Sequence, residues 1–195
     1  MGDWAAVARG NKALEYVCKP AVMVALVGVA VALHPTHADR RVWFVAALVL
    51  SMLGDVFLML PRDLFVAGLA SFLLAHVAYV VGFRIDGASV AAWAAAALGV
   101  VAVDVVVGRP VLKAVRRDHP EVIVPVVAYM LVISAMVSAA VATAVALAVA
   151  GAVLFFASDT LIAWNRFVRP QRWMPLAIIV TYHVGQTGLV LSLAR

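Results

Sequence analysis

The sequence predicts an all-α integral membrane protein, a bundle of about seven transmembrane helices around a polar intramembrane cavity. Hydrophobic residues make up 66% of the 195 positions and charged residues only 13%, whereas soluble domains are about 45–50% apolar and about 25% charged. The apolar residues form repeated stretches of about 20 residues, the length that crosses the hydrocarbon core as a helix. Two aspartates, Asp55 and Asp159, interrupt such stretches, and an intramembrane acid by default faces a functional cavity.

Seven apolar stretches are expected to be the spans, and each is expected to be helical because the bilayer offers no water to an exposed backbone. In chain order they are Tyr16–Leu33, Val42–Leu60, Leu64–Phe83, Ala88–Val107, Val122–Ala139, Ala140–Asn165 and Arg172–Leu193. Turn-forming residues separate most of them, at His34–Pro35, Pro61–Asp63, Asp86–Gly87, Gly108–Pro110 and Arg169–Pro170. Only small or β-branched residues near Ser138–Thr143 mark the boundary between the fifth and sixth spans. An eighth, re-entrant or interfacial helix around Pro110–His119 is the alternative.

Residues 1–195 are expected to form one membrane-embedded domain, since no linker rich in Pro, Gly or Ser interrupts the chain. Residues 1–15 lack the apolar core and the cleavage site of a secretory signal, so this N-terminal segment is expected to be retained.

The basic residues predict the orientation of the bundle. With seven spans, eleven of the 15 Lys and Arg residues fall on the side of the N-terminal segment. They are Arg9, Lys12, Lys19, Arg62, Arg109, Lys113, Arg116, Arg117, Arg166, Arg169 and Arg172, against Arg40, Arg41, Arg84 and Arg195 on the other side. The positive-inside rule then predicts a cytoplasmic N-terminus, and we expect the plasma membrane of a bacterium. The net charge of +5 indicates topology and contact with anionic headgroups, not a nucleic-acid partner.

Asp55 and Asp159 are the strongest candidates for chemistry, because a charged residue at the centre of a span costs about 2.5–3.5 kcal/mol. Asp55 lies five residues before Leu60, and Asp159 lies six before Asn165. Both are therefore expected at one depth near the cytoplasmic ends of their helices, where packing could bring them together. The alternative for Asp55 is a hydrogen bond that holds neighbouring helices together.

Other polar residues recur on helix faces that would line the same space. The candidate substrate-binding residues are Ser51, His76, Tyr79, Tyr129, Ser158, Asn165, Tyr182 and Gln186. The structural alternative for His76 is a buried histidine that only packs within the bundle. For Asn165 and Arg166 the alternative is that Asn165 caps the helix at the membrane interface and Arg166 extends its charge towards the headgroups. Asp104, near the end of the fourth span, is expected to reach lipid headgroups. No metal or cofactor is expected, since the chain has no HxxxH or HExxH motif and only one cysteine, Cys18.

Several of these residues belong to motifs with a defined order and spacing. The motifs are Ser51-x-x-Gly54-Asp55, Phe65-x-x-Gly68, Phe72-x-x-x-His76-x-x-Tyr79, Gly151-x-x-x-Phe155-x-x-Ser158-Asp159, Asn165-x-Phe167, Thr181-Tyr182 and Gln186. Together they resemble the YhhN-like, or lysoplasmalogenase-like, family of membrane proteins over roughly Ala21 to Ser192. Residues 88–119 carry no matching motif. Relatives often have a second Tyr where this chain has His183.

The resemblance implies a membrane hydrolase that cleaves the vinyl ether bond of a lysoplasmalogen into a fatty aldehyde and a glycerophospho-headgroup. This chemistry suits two acids, because protonation of the vinyl ether needs one carboxylic acid and the resulting cation needs one carboxylate. We expect Asp55 and Asp159 to divide these roles, with a lysophospholipid substrate and the bilayer as partners. The competing hypothesis is a lipid-binding protein or transporter that uses the same cavity without catalysis.

Overall fold

The fold is known from a computed structural model that describes residues 2–85 and 87–194. Within these ranges, seven helices are long and apolar enough to cross a membrane, and no β-strand occurs. The α-helices are α1 Gly2–Ala8, α2 Lys12–Ala32, α3 Ala38–Met59, α4 Phe65–Ile85, α5 Val90–Asp118, α6 Ile123–Ala142, α7 Ala146–Ala163 and α8 Met174–Leu191. The prediction of an all-α membrane protein with seven spans, here α2 to α8, is confirmed. The predicted turn residue Asp86 and the basic residue Arg195 lie outside the described ranges.

The seven spans alternate in direction, so α3, α5 and α7 end on the side where α2, α4, α6 and α8 begin. We call this side the basic end, because most of the Lys and Arg residues lie there. Within the bundle α4 packs against both α3 and α6, while α8 packs against α7, α2 and α1. This arrangement surrounds α4 and α8 with other helices and places the polar residues of both inside the bundle.

The fourth span differs from the prediction. Gly108–Pro110 does not end it, and no separate helix forms at Pro110–His119, because α5 continues through Pro110 to Asp118. A proline removes only one intrahelical hydrogen bond, and membrane helices tolerate this loss where neighbouring groups satisfy the freed carbonyl. The 29 residues of α5 are about 44 Å long at 1.5 Å per residue. The helix is therefore longer than the hydrocarbon core, and its last turns can extend beyond the basic end.

The turn between α6 and α7 is tight, as expected, but it lies a few residues later than the predicted boundary at Ala139–Ala140. The helix α6 runs to Ala142. Thr143 Oγ1 then donates to the Ala140 carbonyl at 2.7 Å and accepts the Val145 amide at 3.2 Å, while Ala144 has a positive φ of 54°. The threonine side chain thus replaces the backbone partners that the ends of the two helices lose.

Three glycines allow α7 and α8 to approach within backbone contact. A Cβ added to Gly151 would lie 2.8 Å from the Gly185 carbonyl oxygen and 2.7 Å from the Leu189 amide nitrogen. One added to Gly188 would lie 3.0 Å from the Gly151 Cα. Small residues at such a contact are the usual means of packing membrane helices.

Gly151→Leu is expected to destabilise the bundle, because the added side chain meets backbone atoms that cannot move aside without separating the two helices. Overpacking typically costs about 1–3 kcal/mol, and we expect the upper part of that range. The matched control is Gly28→Leu in α2, where an added Cβ meets nothing within 4 Å. Thermal unfolding in detergent measures both variants. Equal Tm values for them would contradict the close packing of α7 on α8.

Candidate active site

Asp55 lies in a buried polar cluster about one turn before the end of α3. Its Oδ1 is 3.0 Å from Lys19 Nζ, and its Oδ2 accepts a hydrogen bond of 2.7 Å from the Tyr182 hydroxyl. The tyrosine oxygen also lies 3.4 Å from Met23 Sδ. Asp55 therefore has the cationic partner that a carboxylate needs inside a membrane. Sequence reasoning counted Lys19 only among the topology signals, although a lysine within a span is itself a reason to look for an acid.

Asp159 lies in a second cluster, about one turn before the end of α7. Its Oδ2 accepts a hydrogen bond of 2.5 Å from the Tyr129 hydroxyl and is 3.7 Å from His76 Nε2. His76 Nδ1 lies 2.5 Å from the Phe72 carbonyl oxygen, so a neutral His76 has its proton on Nδ1 and a lone pair on Nε2. No Lys or Arg of the described chain forms an ion pair with Asp159. The two acids thus have different environments.

Aromatic rings fill the space between the two clusters. The ring of Tyr182 is 5.3 Å from that of Phe155, which is 4.7 Å from His76. His76 in turn lies 5.3 Å from Tyr129, and Phe72 packs edge-on against both Phe155 and Tyr182. We call Phe72, Phe155, His76 and Tyr182 the aromatic partition. Asp55 and Asp159 were expected at one depth, where packing could bring them together; the described contacts include none that joins them directly.

The motif glycine next to Asp55 explains how the partition packs. A Cβ on Gly54 would lie 2.6 Å from ring carbons of Phe72. A side chain at this position would therefore displace the ring that separates the clusters. The spacing Ser51-x-x-Gly54-Asp55 places a buried serine, a ring-packing glycine and a paired acid within about one turn of α3.

Asp159, but not Asp55, lines the main pocket of the described structure. The pocket encloses about 740 Å³ of space, part of it open to the surroundings, and lies among α3, α4, α5, α6 and α7. Its lining is mostly apolar, with Asp104, Tyr129, Asp159 and Thr160 as the polar members. The predicted polar cavity is therefore not shown. Instead, the pocket has the apolar wall typical of small-molecule sites, with a few polar groups on its surface.

Asp104 is a second acid on this pocket, and sequence reasoning placed it wrongly at the membrane surface. Its Oδ2 accepts a hydrogen bond of 2.8 Å from Ser134 Oγ on α6. Because α5 continues to Asp118, Asp104 lies in the middle of a long helix instead of near its end. The signal that could have found it is the acid in an apolar stretch, the same signal that identified Asp55.

The remaining predicted site residues mostly link helices and do not line the main pocket. Tyr79 OH donates to Gln186 Oε1 at 2.5 Å, joining α4 to α8, and Ser158 Oγ donates to the Ile178 carbonyl at 3.1 Å. Asn165 Oδ1 accepts the Gln171 amide at 3.2 Å. Ser51 is buried, and its Oγ has no hydrogen-bond partner in the described chain. Their substrate-binding roles stay predictions.

A second, polar pocket lies at the basic end and shares Leu58 and Phe65 with the main pocket. Arg166 Nη2 is 3.0 and 2.8 Å from the two carboxylate oxygens of Asp63, and the Arg166 guanidinium lies 4.1 Å from the Phe65 ring centroid. This guanidinium holds the pKa of the Asp63 carboxyl below its usual range. Arg62 also lines the pocket. Arg166 is part of a π-helical turn, residues 164–168, that continues α7.

A third group of polar residues joins α1 to the bundle on the Lys19 side. Trp4 Nε1 donates to His183 Nδ1 at 3.2 Å, and His183 Nε2 lies 3.8 Å from Asp3 Oδ2. Both carboxyl oxygens of Asp3 are buried without a hydrogen-bond partner among the described residues. The short helix thus covers the bundle next to the Asp55 cluster. Across the described ranges, no group of three or more His, Cys, Asp or Glu side chains could hold a metal ion.

The packing of α1 is expected to weaken as the pH rises through about 6. Burial raises the pKa of the Asp3 carboxyl to about 6, partly opposed by the nearby Lys19 ammonium. A raised pKa means that the packed state prefers the protonated acid, so this contribution is present at low pH and is lost above the raised pKa. Cys18, the only cysteine, reports the change because a Cβ on Gly2 would lie 3.3 Å from its Sγ.

Maleimide labelling of Cys18 measures this transition, with Asp3→Asn as the matched control that removes the ionisation. The labelling rate of the native chain relative to the variant is expected to increase between about pH 4 and pH 6 and to stay constant above that range. A constant ratio from about pH 4 to pH 6 as well would show that Asp3 does not control the packing of α1.

Comparison with known proteins gives one family and several named relatives. The profile of the YhhN family matches residues 14–193. The chain is 33% identical over 150 residues to the human protein named lysoplasmalogenase TMEM86B, an alignment that covers 76% of this chain and 62% of the human protein. It is 34% identical over 185 residues to a Mycobacterium tuberculosis protein named lysoplasmalogenase, covering 91% of this chain and 69% of that protein. The chain thus spans less than two thirds of the human relative. No solved structure matches it.

Proposed function

Because the chain belongs to the YhhN family, we propose that it is a membrane hydrolase that cleaves the vinyl ether bond of lysoplasmalogen-type lysolipids. The products are a fatty aldehyde and a glycerophospho-headgroup. The names of the human and mycobacterial relatives support this substrate class. The structural observation that carries the proposal is Asp159 in the wall of a mostly apolar pocket, a wall that suits an alkenyl chain next to a proton donor.

The reaction needs a proton donor at one carbon and a water molecule at the next. An acid protonates the β-carbon of the vinyl ether, which forms a C–H bond and leaves an oxocarbenium ion at the α-carbon. Water adds to the α-carbon and gives up a proton, and the resulting hemiacetal breaks into the aldehyde and the glycerol hydroxyl. Buried acids can carry out such chemistry near neutral pH because their surroundings determine which of them holds a proton.

The environments of the two aspartates favour one assignment of roles. Asp159 has no Lys or Arg partner within the described chain and lines the pocket, so we assign it the role of proton donor. Asp55 is paired with Lys19, which favours a carboxylate. A fixed negative charge behind the aromatic partition can stabilise the developing cation through the low-dielectric interior without touching the lipid. His76 and Tyr129 then position the Asp159 carboxyl.

Orientation and location follow the same proposal. We place the basic end and the N-terminus on the cytoplasmic side of a bacterial plasma membrane, as the positive-inside rule predicts. Substrate would then enter from the inner leaflet. A reporter that is active only in the cytoplasm, fused to the C-terminus, tests this orientation. With seven spans the reporter should be inactive, and activity would contradict the proposed orientation.

Release of aldehyde by the purified, reconstituted protein tests the function directly. We expect aldehyde from a lysoplasmalogen, and neither aldehyde nor free fatty acid from an acyl lysophosphatidylcholine of equal chain length. A protein that binds the lysoplasmalogen but releases no aldehyde would instead support a lipid-binding or transport role.

A further inference from the structure

We propose that Arg62, Asp63 and Arg166 form a headgroup site for a phosphoethanolamine group, and that this site prefers a primary ammonium to a trimethylammonium. The inference rests on the proposed function, because it takes a lysolipid as the ligand. It adds the headgroup selectivity, which neither the family nor the pocket around Asp159 determines.

The cationic half of the site suits the phosphate. The hydrogen bonds of Arg166 to described residues involve only Nη2, which contacts Asp63. Its Nη1 and Nε donors point to no described partner, and Arg62 forms no ion pair in the described ranges. Two cations with unused donors at one pocket can bind a phosphodiester, and an arginine does so with its planar fork. The Phe65 ring beneath the guanidinium fixes its plane.

The anionic half suits an amine. The Asp63 side chain is 71% exposed, so it can accept further hydrogen bonds beside those from Arg166. A primary ammonium has three N–H donors for this carboxylate, whereas a trimethylammonium has none. Choline sites usually provide the open face of an aromatic ring instead. Here Arg166 covers one face of Phe65 at 4.1 Å, and Phe167 packs edge-on against the same ring.

The position of the site relative to Asp159 fits one lysolipid molecule. Leu58 and Phe65 belong to the walls of both pockets, so the two spaces adjoin. Asp159 precedes Arg166 by seven positions on one continuous helical segment, which corresponds to about 10 Å along the axis. A phosphate at Arg166 therefore places the glycerol and the ether oxygen between the headgroup site and the proposed acid. The chain beyond them lies in the apolar pocket.

Binding of saturated ether lysolipids tests the site separately from catalysis, because an alkyl ether has no double bond to protonate. The native protein in detergent is titrated with 1-O-alkyl lysophospholipids bearing ethanolamine, N-methylethanolamine, N,N-dimethylethanolamine or choline. We expect Kd to rise stepwise along this series by about three- to tenfold in all, the range of one partly exposed charge-assisted hydrogen bond. Asp63→Asn is expected to make the four Kd values equal.

The variants separate the two halves of the site. Asn at position 63 keeps the oxygen that accepts the Phe65 amide at 3.3 Å, so the start of α4 is preserved and only the charge is lost. Arg166→Gln and Arg62→Gln are expected to raise the Kd values of all four lipids by about the same factor. Arg169→Gln, an exposed cation outside both pockets, is the matched control and should bind as the native protein does.

The outcomes distinguish this inference from the proposed function. Equal Kd values across the series in the native protein, or unchanged selectivity in Asp63→Asn, would overturn the headgroup site, whether or not aldehyde is released from lysoplasmalogens. Stepwise Kd values without aldehyde release would support the headgroup site and contradict only the hydrolase.

Discussion

Asp159→Asn is expected to lower the rate of aldehyde release by about 10²–10⁴-fold, the usual contribution of a positioned general acid. The amide has nearly the same shape, and its oxygen can still accept the Tyr129 hydroxyl that lies 2.5 Å from the native carboxylate. Folding should therefore be preserved, while the proton that the vinyl ether needs is lost. The measurement is single-turnover release of aldehyde from a lysoplasmalogen by the reconstituted variant.

Two comparisons make this result specific. Asp39→Asn changes an exposed acid at the start of α3 in the same way and should release aldehyde at the native rate. Binding of the saturated ether lipid should stay close to native in Asp159→Asn, because the role proposed for Asp159 is in the chemical step. Native turnover by Asp159→Asn would remove Asp159 from the mechanism.

The effect on stability of replacing Lys19 is expected to depend strongly on whether the Asp55 carboxylate is present. Lys19→Met leaves the Asp55 carboxylate buried without its cation, and breaking a buried pair from one side typically costs about 3–5 kcal/mol. Asp55→Asn combined with Lys19→Met removes both charges and should recover most of the lost stability. Aldehyde release should remain low in both variants, because the Asp55 carboxylate is unpaired in the first and absent in the second. Thermal unfolding and turnover are measured together.

A second acid provides the decisive comparison for Asp55. Asp104 lines the same pocket as Asp159 and accepts a hydrogen bond from Ser134, so it is the other carboxylate close enough to act on the lipid. If Asp104→Asn abolished turnover while Asp55→Asn kept it, the second carboxylate would be Asp104. Loss of turnover only in Asp55→Asn supports the assignment proposed here.

The spans could be predicted because hydrocarbon imposes a length and a composition that a single sequence displays. Where the prediction was wrong, local rules competed with the bilayer. Gly108 and Pro110 favour a turn in water, but the surrounding bundle keeps α5 helical across them. This error affected more than the predicted end of the helix. With a span that ended at Val107, Asp104 was expected near the membrane surface, whereas it lies in the middle of α5.

The candidate site was predictable as a set of residues but not as a geometry. The cost of a buried acid identifies Asp55 and Asp159 without any structure. Which side chains accompany each acid depends on how the helices rotate and pack, and a sequence does not specify this. Lys19 and Asp55 are 36 positions apart and Tyr129 and Asp159 are 30 apart, so no local motif could join them. The aromatic partition was likewise hidden, because Phe72 and Phe155 appear in separate motifs and nothing in the sequence shows that their rings meet.

The aromatic partition also limits how hydrogen ions can travel during turnover. Its phenylalanine rings relay none, and no hydrogen bond among the described residues joins Tyr182 on the Asp55 side to His76 on the Asp159 side. The donor on the pocket side therefore has no hydrogen-bonded path through the partition from the lysine side. The water that captures the cation is then the source of the proton that Asp159 regains. The acid is therefore reprotonated within the main pocket in each catalytic cycle. In heavy water, the aldehyde should carry one deuterium on the carbon next to its carbonyl, because an exchangeable acid protonates that carbon. The partition thus keeps protons on the pocket side while the field of the Asp55 charge still acts across it.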